Sequence, residues 1–270
     1  MNKVWISIII VLLLIVFLYT QNNFIKVTKL KVNIRKDLGI FNGLKILHLS
    51  DLHNKSFGKN QNKIMKKIKS LNPDIIFFTG DLIDSRRDGI ENGVALLKEC
   101  SSVASVYYIT GNHEERSEKS LSLYEELNKL NVNILNDNND ILIKGEYKLN
   151  IIGVRDKTIS KGKSELISKL ENINMEKSDI NILLAHRPSY IEHYTTQNFD
   201  LVFSGHAHGG QIRVPLIGGL LAPDQGILPQ YDSGLYKIDK TNLIVSRGLG
   251  NSLFPQRLFN IPQIILITLK

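Results

Sequence analysis

The chain has 270 residues, which suits one large domain or a domain with a short appendage. Its hydrophobic fraction of 43% and charged fraction of 22% are ordinary for a globular protein and exclude a disordered chain. The formal net charge of +8 favours anionic partners such as phosphorylated substrates, nucleic acid or a lipid surface. Because the lysines are scattered and no basic helix carries interleaved aromatic residues, we do not expect nucleic acid to be the partner.

The amino terminus is a separate apolar element. Residues 4–20 carry no charge and a single serine, and Trp5 and Tyr19 lie near the two ends, where aromatic residues favour the membrane interface. At about 1.5 Å per residue this helix would reach roughly 25 Å, which is short but sufficient for a bilayer. A cleaved signal peptide is the alternative, but residues 18–21 offer no small-x-small cleavage site. We predict an uncleaved transmembrane signal anchor over residues 1–21 and a single-pass protein of the cell membrane.

Residues 22–42 are predicted to be a linker that contains an early strand, because apolar and polar residues partly alternate there. Only Lys3 precedes the apolar segment, whereas five basic residues follow it closely: Lys26, Lys29, Lys31, Arg35 and Lys36. By the positive-inside rule, this distribution alone places the domain in the cytoplasm.

A histidine-containing loop occupies residues 204–211, with the sequence Ser-Gly-His-Ala-His-Gly-Gly-Gln. It follows the apolar run 201–203, which predicts a short buried strand. Glycines on both sides let the backbone fold back and bring His206 and His208 towards one point. Neutral imidazoles are good ligands for borderline transition metals. Taken alone, the loop is equally compatible with a glycine-rich turn that carries two surface histidines.

Ligand-type residues also end other predicted strands, over residues 44–50, 74–79, 103–110 and 180–185. In that order, the residues that follow these strands are Asp51 and His53, Asp81, Asn112 and His113, and His186. Predicted helices near residues 60–71, 93–100 and 115–130 alternate with the strands, which favours an α/β fold with its site beyond the carboxyl ends of the strands. After the histidine loop, residues 234–238, 243–247 and 263–269 predict strands without intervening helices, and therefore a second sheet.

These motifs together resemble the calcineurin-like metallophosphoesterases: Asp51-x-His53, Gly80-Asp81, Gly111-Asn112-His113, His186 and Gly205-His206-x-His208, in that order. The resemblance extends over residues 44–270. Segments 208–212 and 246–250 look like the membrane-associated branch, some members of which are exported and some of which cleave the pyrophosphate of UDP-2,3-diacylglucosamine. The resemblance implies a four-layer sandwich of two mixed sheets between helices over residues 43–270, with a dimetal site at the strand ends.

The resemblance also implies a ligand set for two divalent ions. Asp51, His53 and His208 would hold the first ion, Asn112, His186 and His206 the second, and Asp81 would bridge them. This mixture of oxygen and nitrogen donors suits manganese, iron or zinc better than calcium, so the identity of the metals stays open. Two such cations can clamp a phosphate and activate a water molecule.

Other polar residues near the motifs receive supporting roles. By the same resemblance His113 would donate a proton to the leaving oxygen, with simple support of a ligand as the alternative. Asp84 and Glu114 are expected to hydrogen-bond the imidazoles of metal ligands. Arg187 and Arg247 are candidates for binding substrate phosphate through the forked donors of their guanidinium groups. For Arg187, the sequence is equally compatible with a structural ion pair.

We therefore predict a membrane-anchored dimetal phosphoesterase that hydrolyses a phosphate ester or pyrophosphate bond by direct attack of water. The expected partner is a phosphorylated small molecule or a lipid-linked substrate, such as a lipid or a nucleotide sugar. A metal-free binding module with the same fold is one alternative. A nuclease is another, but it needs a groove for nucleic acid that the sequence does not show. Resemblance to exported relatives favours the extracytoplasmic side, against the flanking charge, and we adopt that side.

Overall fold

The computed structural model describes residues 2–172 and 179–270. It begins with the long helix α1 (Lys3–Asn23), no residue of which is buried. The most apolar window of α1 has a mean hydropathy of 2.5, so the helix is long and apolar enough to cross a membrane. The shorter helices that follow are α2 (Asn62–Leu71), α3 (Glu91–Ser101), α4 (Asn112–Arg116), α5 (Ser120–Asn128), α6 (Asp156–Ser160), α7 (Lys163–Asn172) and α8 (Ile191–Tyr194).

The strands lie between and after these helices. In chain order they are β1 (Lys26–Val32), β2 (Lys45–Leu49), β3 (Ile75–Thr79), β4 (Ser105–Ile109), β5 (Val132–Ile134), β6 (Asn138–Lys144), β7 (Tyr147–Val154), β8 (Ile180–Ala185), β9 (Leu201–Ser204), β10 (Arg213–Val214), β11 (Gly218–Gly219), β12 (Leu221–Ala222), β13 (Gly226–Ile227), β14 (Gly234–Ile238), β15 (Thr241–Val245) and β16 (Gln263–Leu269).

Among the described residues, the longer strands form two six-stranded mixed sheets. The first sheet has the order β1-β16-β2-β3-β4-β5, in which only β16 and β2 are antiparallel neighbours. The second has the order β14-β15-β9-β8-β7-β6, in which the two edge strands are antiparallel to their neighbours. The short pairs β10-β11 and β12-β13 form two hairpins between β9 and β14.

The core has three apolar layers because both sheets are covered on both faces. Along β3, Ile75 and Phe77 face the other sheet, whereas Ile76 and Phe78 face α2, α3 and α5, as the two-residue period of a strand requires. Helices α7 and α8 cover the outer face of the second sheet. Strands buried on both faces read as continuous apolar runs, which is what the sequence shows. This architecture confirms the predicted four-layer sandwich.

The pairing of the first and last strands differs from the expectation. The predicted early strand is β1, which pairs along its whole length with β16 at the edge of the first sheet. The prediction that the last strand belongs to the second sheet is wrong, because β16 inserts between β1 and β2. Nearly every residue of β16 is buried, so both of its faces require cover.

The single helix predicted over residues 115–130 is also wrong, because the helix is interrupted. Helix α4 ends at Arg116, and Ser117 is extended, with φ −93° and ψ 132°. The hydroxyl of Ser120 donates to the carbonyl of Ser117 at 2.8 Å, and α5 begins there. The break leaves α4 as a short helix that continues from the end of β4 and carries the Asn-His-Glu segment.

Candidate active site

The two sheets bring the predicted ligands to one place. Each of these residues follows the end of a strand, which is β2, β3 or β4 in the first sheet and β8 or β9 in the second. The residue that follows β4 is the first residue of α4. None of these residues is more than 6% exposed: Asp51, His53, Asp81, Asn112, His186, His206 and His208. Residues as far apart in the chain as Asp51 and His208 thus meet in one buried cluster, as the ordered motifs predict.

The first part of the cluster contains Asp51, His53, Asp81 and His208, whose donor atoms all lie within 4.8 Å of one another. Nε2 of His53 and Nε2 of His208 are 3.0 Å apart. Nε2 of His208 is 3.4 Å from Oδ1 of Asp51, and Nε2 of His53 is 3.7 Å from Oδ2 of Asp81. Four nitrogen and oxygen donors therefore converge on one point.

The second part contains Asp81, His186 and His206, again within 4.8 Å of one another. Nε2 of His186 lies 3.3 Å from Oδ2 of Asp81 and 3.2 Å from Nδ1 of His206. Nδ1 of His186 donates to the carbonyl of Thr79 at 2.7 Å, which leaves a lone pair on Nε2 in the neutral ring. Asp81 belongs to both parts through the same oxygen.

The backbone around the cluster is strained. Five of these residues have left-handed φ values between 49° and 65°: Asp51, His53, Asp81, His206 and His208. Each such non-glycine residue costs on the order of 1–3 kcal/mol, so this concentration indicates a function that the surrounding structure supports. The backbone amide of His206 donates to Oδ1 of Asp51 at 2.9 Å, which fixes one loop against the other.

Two glycines lie where the backbone approaches neighbouring side chains too closely to leave room for a Cβ atom. A Cβ at Gly205 would contact the hydroxyl of Ser50 and the carboxylate of Asp51. A Cβ at Gly111 would meet the carboxylate of Asp81 in the same way. These glycines therefore let the backbones of three loops pack directly against the two carboxylates.

The donor set fits metal ions. Among the residues that the structure describes, Oδ2 of Asp51 and Oδ1 of Asn112 are buried and have no hydrogen-bond partner. A buried acceptor without a partner costs about 1–3 kcal/mol, which a bound cation would relieve. Carboxylate, amide and imidazole donors together suit a transition metal such as manganese, iron or zinc.

The charges within the cluster follow from burial and from Asp81. Burial lowers the pKa of His53 to about 3, against the opposing effect of Asp81, and lowers the pKa of His208 as well. Burial also acts to lower the pKa of His186, but the adjacent Asp81 carboxylate outweighs it and raises that pKa to about 10. The imidazoles of His53 and His208 are thus neutral, as ligands must be, and that of His186 would release its proton when a metal binds.

His113 lies beside the cluster with Nε2 towards the cavity. Nε2 is 3.3 Å from the hydroxyl of Ser252 and 3.5 Å from Nη2 of Arg86. Nδ1 is 3.3 Å from Oδ1 of Asp84 and 3.0 Å from the backbone nitrogen of Ser85. Burial acts to lower the pKa of His113, but Asp84 outweighs it and raises the pKa. The position and the raised pKa both suit a proton donor.

The two supporting carboxylates have different roles. Asp84 lies 3.3 Å from Nδ1 of His113, but its Oδ2 is 3.7 Å from Nδ1 of His53, and neither of these two atoms has a hydrogen-bond partner among the described residues. The expected hydrogen bond from Asp84 to the imidazole of a metal ligand is therefore not formed. The same expectation for Glu114 is wrong. Its carboxylate accepts the backbone N–H groups of Asp81, Ile83 and Gly111 at 2.7–3.0 Å and so holds two loops together.

The two candidate arginines lie in different places. Arg187 lines the cavity, but its guanidinium is paired with Asp156 at 2.6 and 2.8 Å and with Asp224 at 2.6 Å. Arg247 does not line this cavity. It lines another one with Arg213, and its Nε is 3.4 Å from the hydroxyl of Ser233. We therefore no longer assign Arg247 to phosphate binding at the cluster.

The cavity above the cluster has a volume of about 350 Å³. Asp81, Asn112, His113, His206 and His208 line its polar part, and the sequence-based analysis missed several further residues: Arg86, Arg116, Asp224 and Ser252. These four lie in loops or at a helix end and belong to no spacing pattern. Leu221, Leu253 and Phe254 form an apolar part of the wall. The cavity can therefore receive an anion together with an apolar group.

Two mixed sheets between helices, with buried aspartates and histidines at the strand ends, place the chain in the class of α/β metallohydrolases. The family model for the calcineurin-like phosphoesterases matches residues 44–210. The chain therefore belongs to the calcineurin-like phosphoesterase family and is a metal-dependent phosphoesterase, as its motifs predicted. Members of this family typically bind two divalent metal ions.

Relatives match most of the chain. The uncharacterized metallophosphoesterase YkuE of Bacillus subtilis is 28% identical over 247 residues, which cover 85% of this chain and 80% of YkuE. Phosphodiesterase YaeI of Escherichia coli is 27% identical over 234 residues, or 83% of this chain and 82% of YaeI. Among solved structures, the NAD nucleotidase of Haemophilus influenzae aligns with a TM-score of 0.50 and 15% identity, over 76% of this chain and 45% of that protein. That likeness shows the fold alone.

Proposed function

We propose that the protein is a membrane-anchored phosphoesterase that uses two divalent ions to hydrolyse a phosphate ester or pyrophosphate bond by direct attack of water. Residues 1–21 form the anchor, and residues 43–270 carry the reaction. In this proposal Asp51, His53 and His208 would hold one ion, Asn112, His186 and His206 would hold the other, and Asp81 would be shared between them.

The position of Asp81 carries this proposal. Its Oδ2 atom lies 3.7 Å from Nε2 of His53 and 3.3 Å from Nε2 of His186, between the two groups of donors. When bound, two cations in such a site clamp a phosphate and lower the pKa of a water molecule. A carboxylate shared between two sets of donors is what a pair of adjacent cations requires.

The other side chains act on the substrate itself. His113 donates its Nε2 proton to the leaving oxygen while the bond between that oxygen and phosphorus breaks and the water oxygen bonds to phosphorus. The proton that the water loses later restores His113, so the products are a phosphate and an alcohol or a second phosphate. Asp84 raises the pKa of His113 and so favours its protonated form, and Arg86 and Arg116 line the cavity, where they supply positive charge near the phosphate.

The apolar wall of the cavity supports a substrate with an apolar or nucleotide portion. Leu221, Leu253 and Phe254 line the same cavity as the polar residues, so they are available to contact the group that a bound phosphate carries. A lipid-linked phosphate or a nucleotide sugar such as UDP-2,3-diacylglucosamine has this composition. We place the domain on the extracytoplasmic side, by resemblance to exported members, and digestion by protease added to intact spheroplasts tests that side.

Hydrolysis by the full-length protein in detergent tests the function. We expect hydrolysis of bis-p-nitrophenyl phosphate, p-nitrophenyl phosphate or a UDP-linked acyl sugar with manganese or zinc, and its loss with a chelator. The ranking of these substrates distinguishes a general phosphodiesterase from a pyrophosphatase. Protein that binds no metal and hydrolyses none of them contradicts the proposal and favours the metal-free binding module. Salt-sensitive binding of DNA would favour a nuclease instead.

Asp224 offers a second test, because it joins His206 to Arg187. Its Oδ2 is 3.0 Å from Nε2 of His206, and this hydrogen bond lowers the pKa of Asp224. We expect Asp224→Asn to weaken binding of the second ion about 10- to 100-fold, because the imidazole loses its charged partner. Competition with a chromogenic chelator measures this affinity.

Asp156→Asn is the matched control for this test. Asp156 is the other partner of Arg187, and in the part of the chain that the structure describes it forms no hydrogen bond or ion pair with a histidine of the cluster. A loss of metal affinity that is equal in the two variants would show that Asp224 acts only through Arg187.

A further inference from the structure

Exposed apolar side chains lie on two loops beside the cavity. Leu253, Phe254 and Phe259 belong to the loop 251–260, and Leu216 and Ile217 belong to the hairpin 213–219. Their side chains are 41% to 108% exposed. We call these five residues the apolar face.

The two loops form one continuous surface. The backbone N–H of Arg213 donates to the carbonyl of Leu258 at 2.9 Å, and Ile212 forms an isolated bridge with the same residue. Phe259 and Leu216 line the same cavity, which is separate from the catalytic one. Leu253 and Phe254 line the catalytic cavity. The apolar face therefore extends from the hairpin to the entrance of the candidate active site.

Helix α1 contacts this surface directly. The rings of Phe17 and Phe259 have centroids 5.5 Å apart, and the side-chain amide of Gln256 donates to the carbonyl of Leu18 at 3.0 Å. The side chain of Asn22 donates to the carbonyl of Pro255 at 3.0 Å. The loop 251–260 is thus fixed against the last two turns of α1.

These contacts determine how deep the loop lies relative to the apolar helix. Phe17 precedes the last residue of α1, Asn23, by six positions, which is about 9 Å along the helix axis. Phe17 and Leu18 belong to the uncharged segment that a bilayer would cover. A bilayer that covers this segment therefore reaches Phe259.

We propose that the apolar face docks against the lipid bilayer that holds α1, so that the catalytic cavity opens at the membrane surface. This inference rests on the membrane anchor of the proposed function. The occupant is a bilayer rather than a second protein, because the face continues an apolar helix whose other sides are also exposed. The phosphate of a lipid headgroup would then meet the cluster without leaving the membrane surface.

Site-directed labelling of the full-length protein in phosphatidylcholine nanodiscs tests this proposal. Cys100 is the only cysteine and is fully buried, so a nitroxide attaches only to an introduced cysteine. The test positions are Leu216→Cys, Ile217→Cys and Phe259→Cys. Leu121→Cys and Ile143→Cys are matched controls, because both residues are apolar, more than 60% exposed and outside the two loops.

We expect labels at the three test positions to be accessible to oxygen and shielded from a water-soluble nickel complex, and labels at the two controls to show the reverse. Test labels as accessible to nickel as the control labels would overturn the proposal. Circular dichroism identifies any variant that fails to fold. Because three positions are tested independently, the remaining variants still test the proposal if one of them fails to fold. The readout does not depend on hydrolysis, so failure of the proposed reaction and failure of docking are distinguishable.

Discussion

Asp81→Asn is expected to reduce kcat/KM for any substrate that the protein hydrolyses by at least about 1,000-fold, or roughly 4 kcal/mol of transition-state stabilisation. The carboxylate lies between His53 and His186, and the substitution leaves one neutral oxygen where two charged ones stood. Asparagine accepts left-handed backbone conformations, so the φ of 55° at this position is preserved. Metal analysis of the purified variant should show fewer than two ions per chain.

Asp239→Asn is the control for that experiment. Asp239 has nearly the same φ, 51°, but is exposed at the turn between β14 and β15. We expect its replacement to leave both metal content and turnover unchanged. If Asp81→Asn retains activity like that of the unaltered protein, the dimetal mechanism is wrong.

His113→Asn is expected to separate substrates by their leaving groups. With an alkyl phosphate ester, whose leaving oxygen requires a proton, kcat should fall about 100- to 10,000-fold. With a p-nitrophenyl ester the leaving phenolate is stable without a proton, so the fall should stay below about tenfold. Steady-state kinetics on the two substrates, at equal metal content, measures the difference.

The control for this variant is His193→Asn, on α8 and outside the catalytic cavity, which should leave both rates unchanged. Equal losses on the two substrates in His113→Asn would show that His113 supports the site without donating a proton. Loss of bound metal in that variant would point to the same conclusion.

The sequence by itself determined the family and the position of the cluster in the fold. Apolar runs that end in Asp, Asn or His mark buried strands followed by ligand-type residues, and the carboxyl ends of parallel strands meet at one edge. That rule is local, so Asp51, Asp81 and Asn112, which follow strands of one sheet, could be placed together without coordinates. His186 follows a strand of the other sheet, and only the resemblance to the family joined it to them. The apolar segment over residues 4–20 could also be recognised from the sequence, because length and apolar composition alone identify a helix that can cross a membrane.

Only the tertiary structure decided which side chains act around those motifs. Glu114 was expected to hydrogen-bond an imidazole, but its carboxylate accepts three backbone N–H groups instead. The spacing of residues in the sequence does not show which backbone amides of another loop will face a side chain. Asp224 reaches His206 from a hairpin, and Arg86 reaches the cavity from a loop. Such contacts depend on how loops pack across the sheet ends, which is set by the whole fold.

The same reason explains the errors in the fold. β16 is apolar on both faces, so its sequence requires burial but does not say in which sheet, and only pairing with β1 and β2 decides it. The interruption after Arg116 lies in a stretch with helical spacing, where local propensity is overridden by the packing of α4 against the ends of the strands. Periodicity determines which residues are buried, whereas the partners that bury them are determined by contacts distant in the chain.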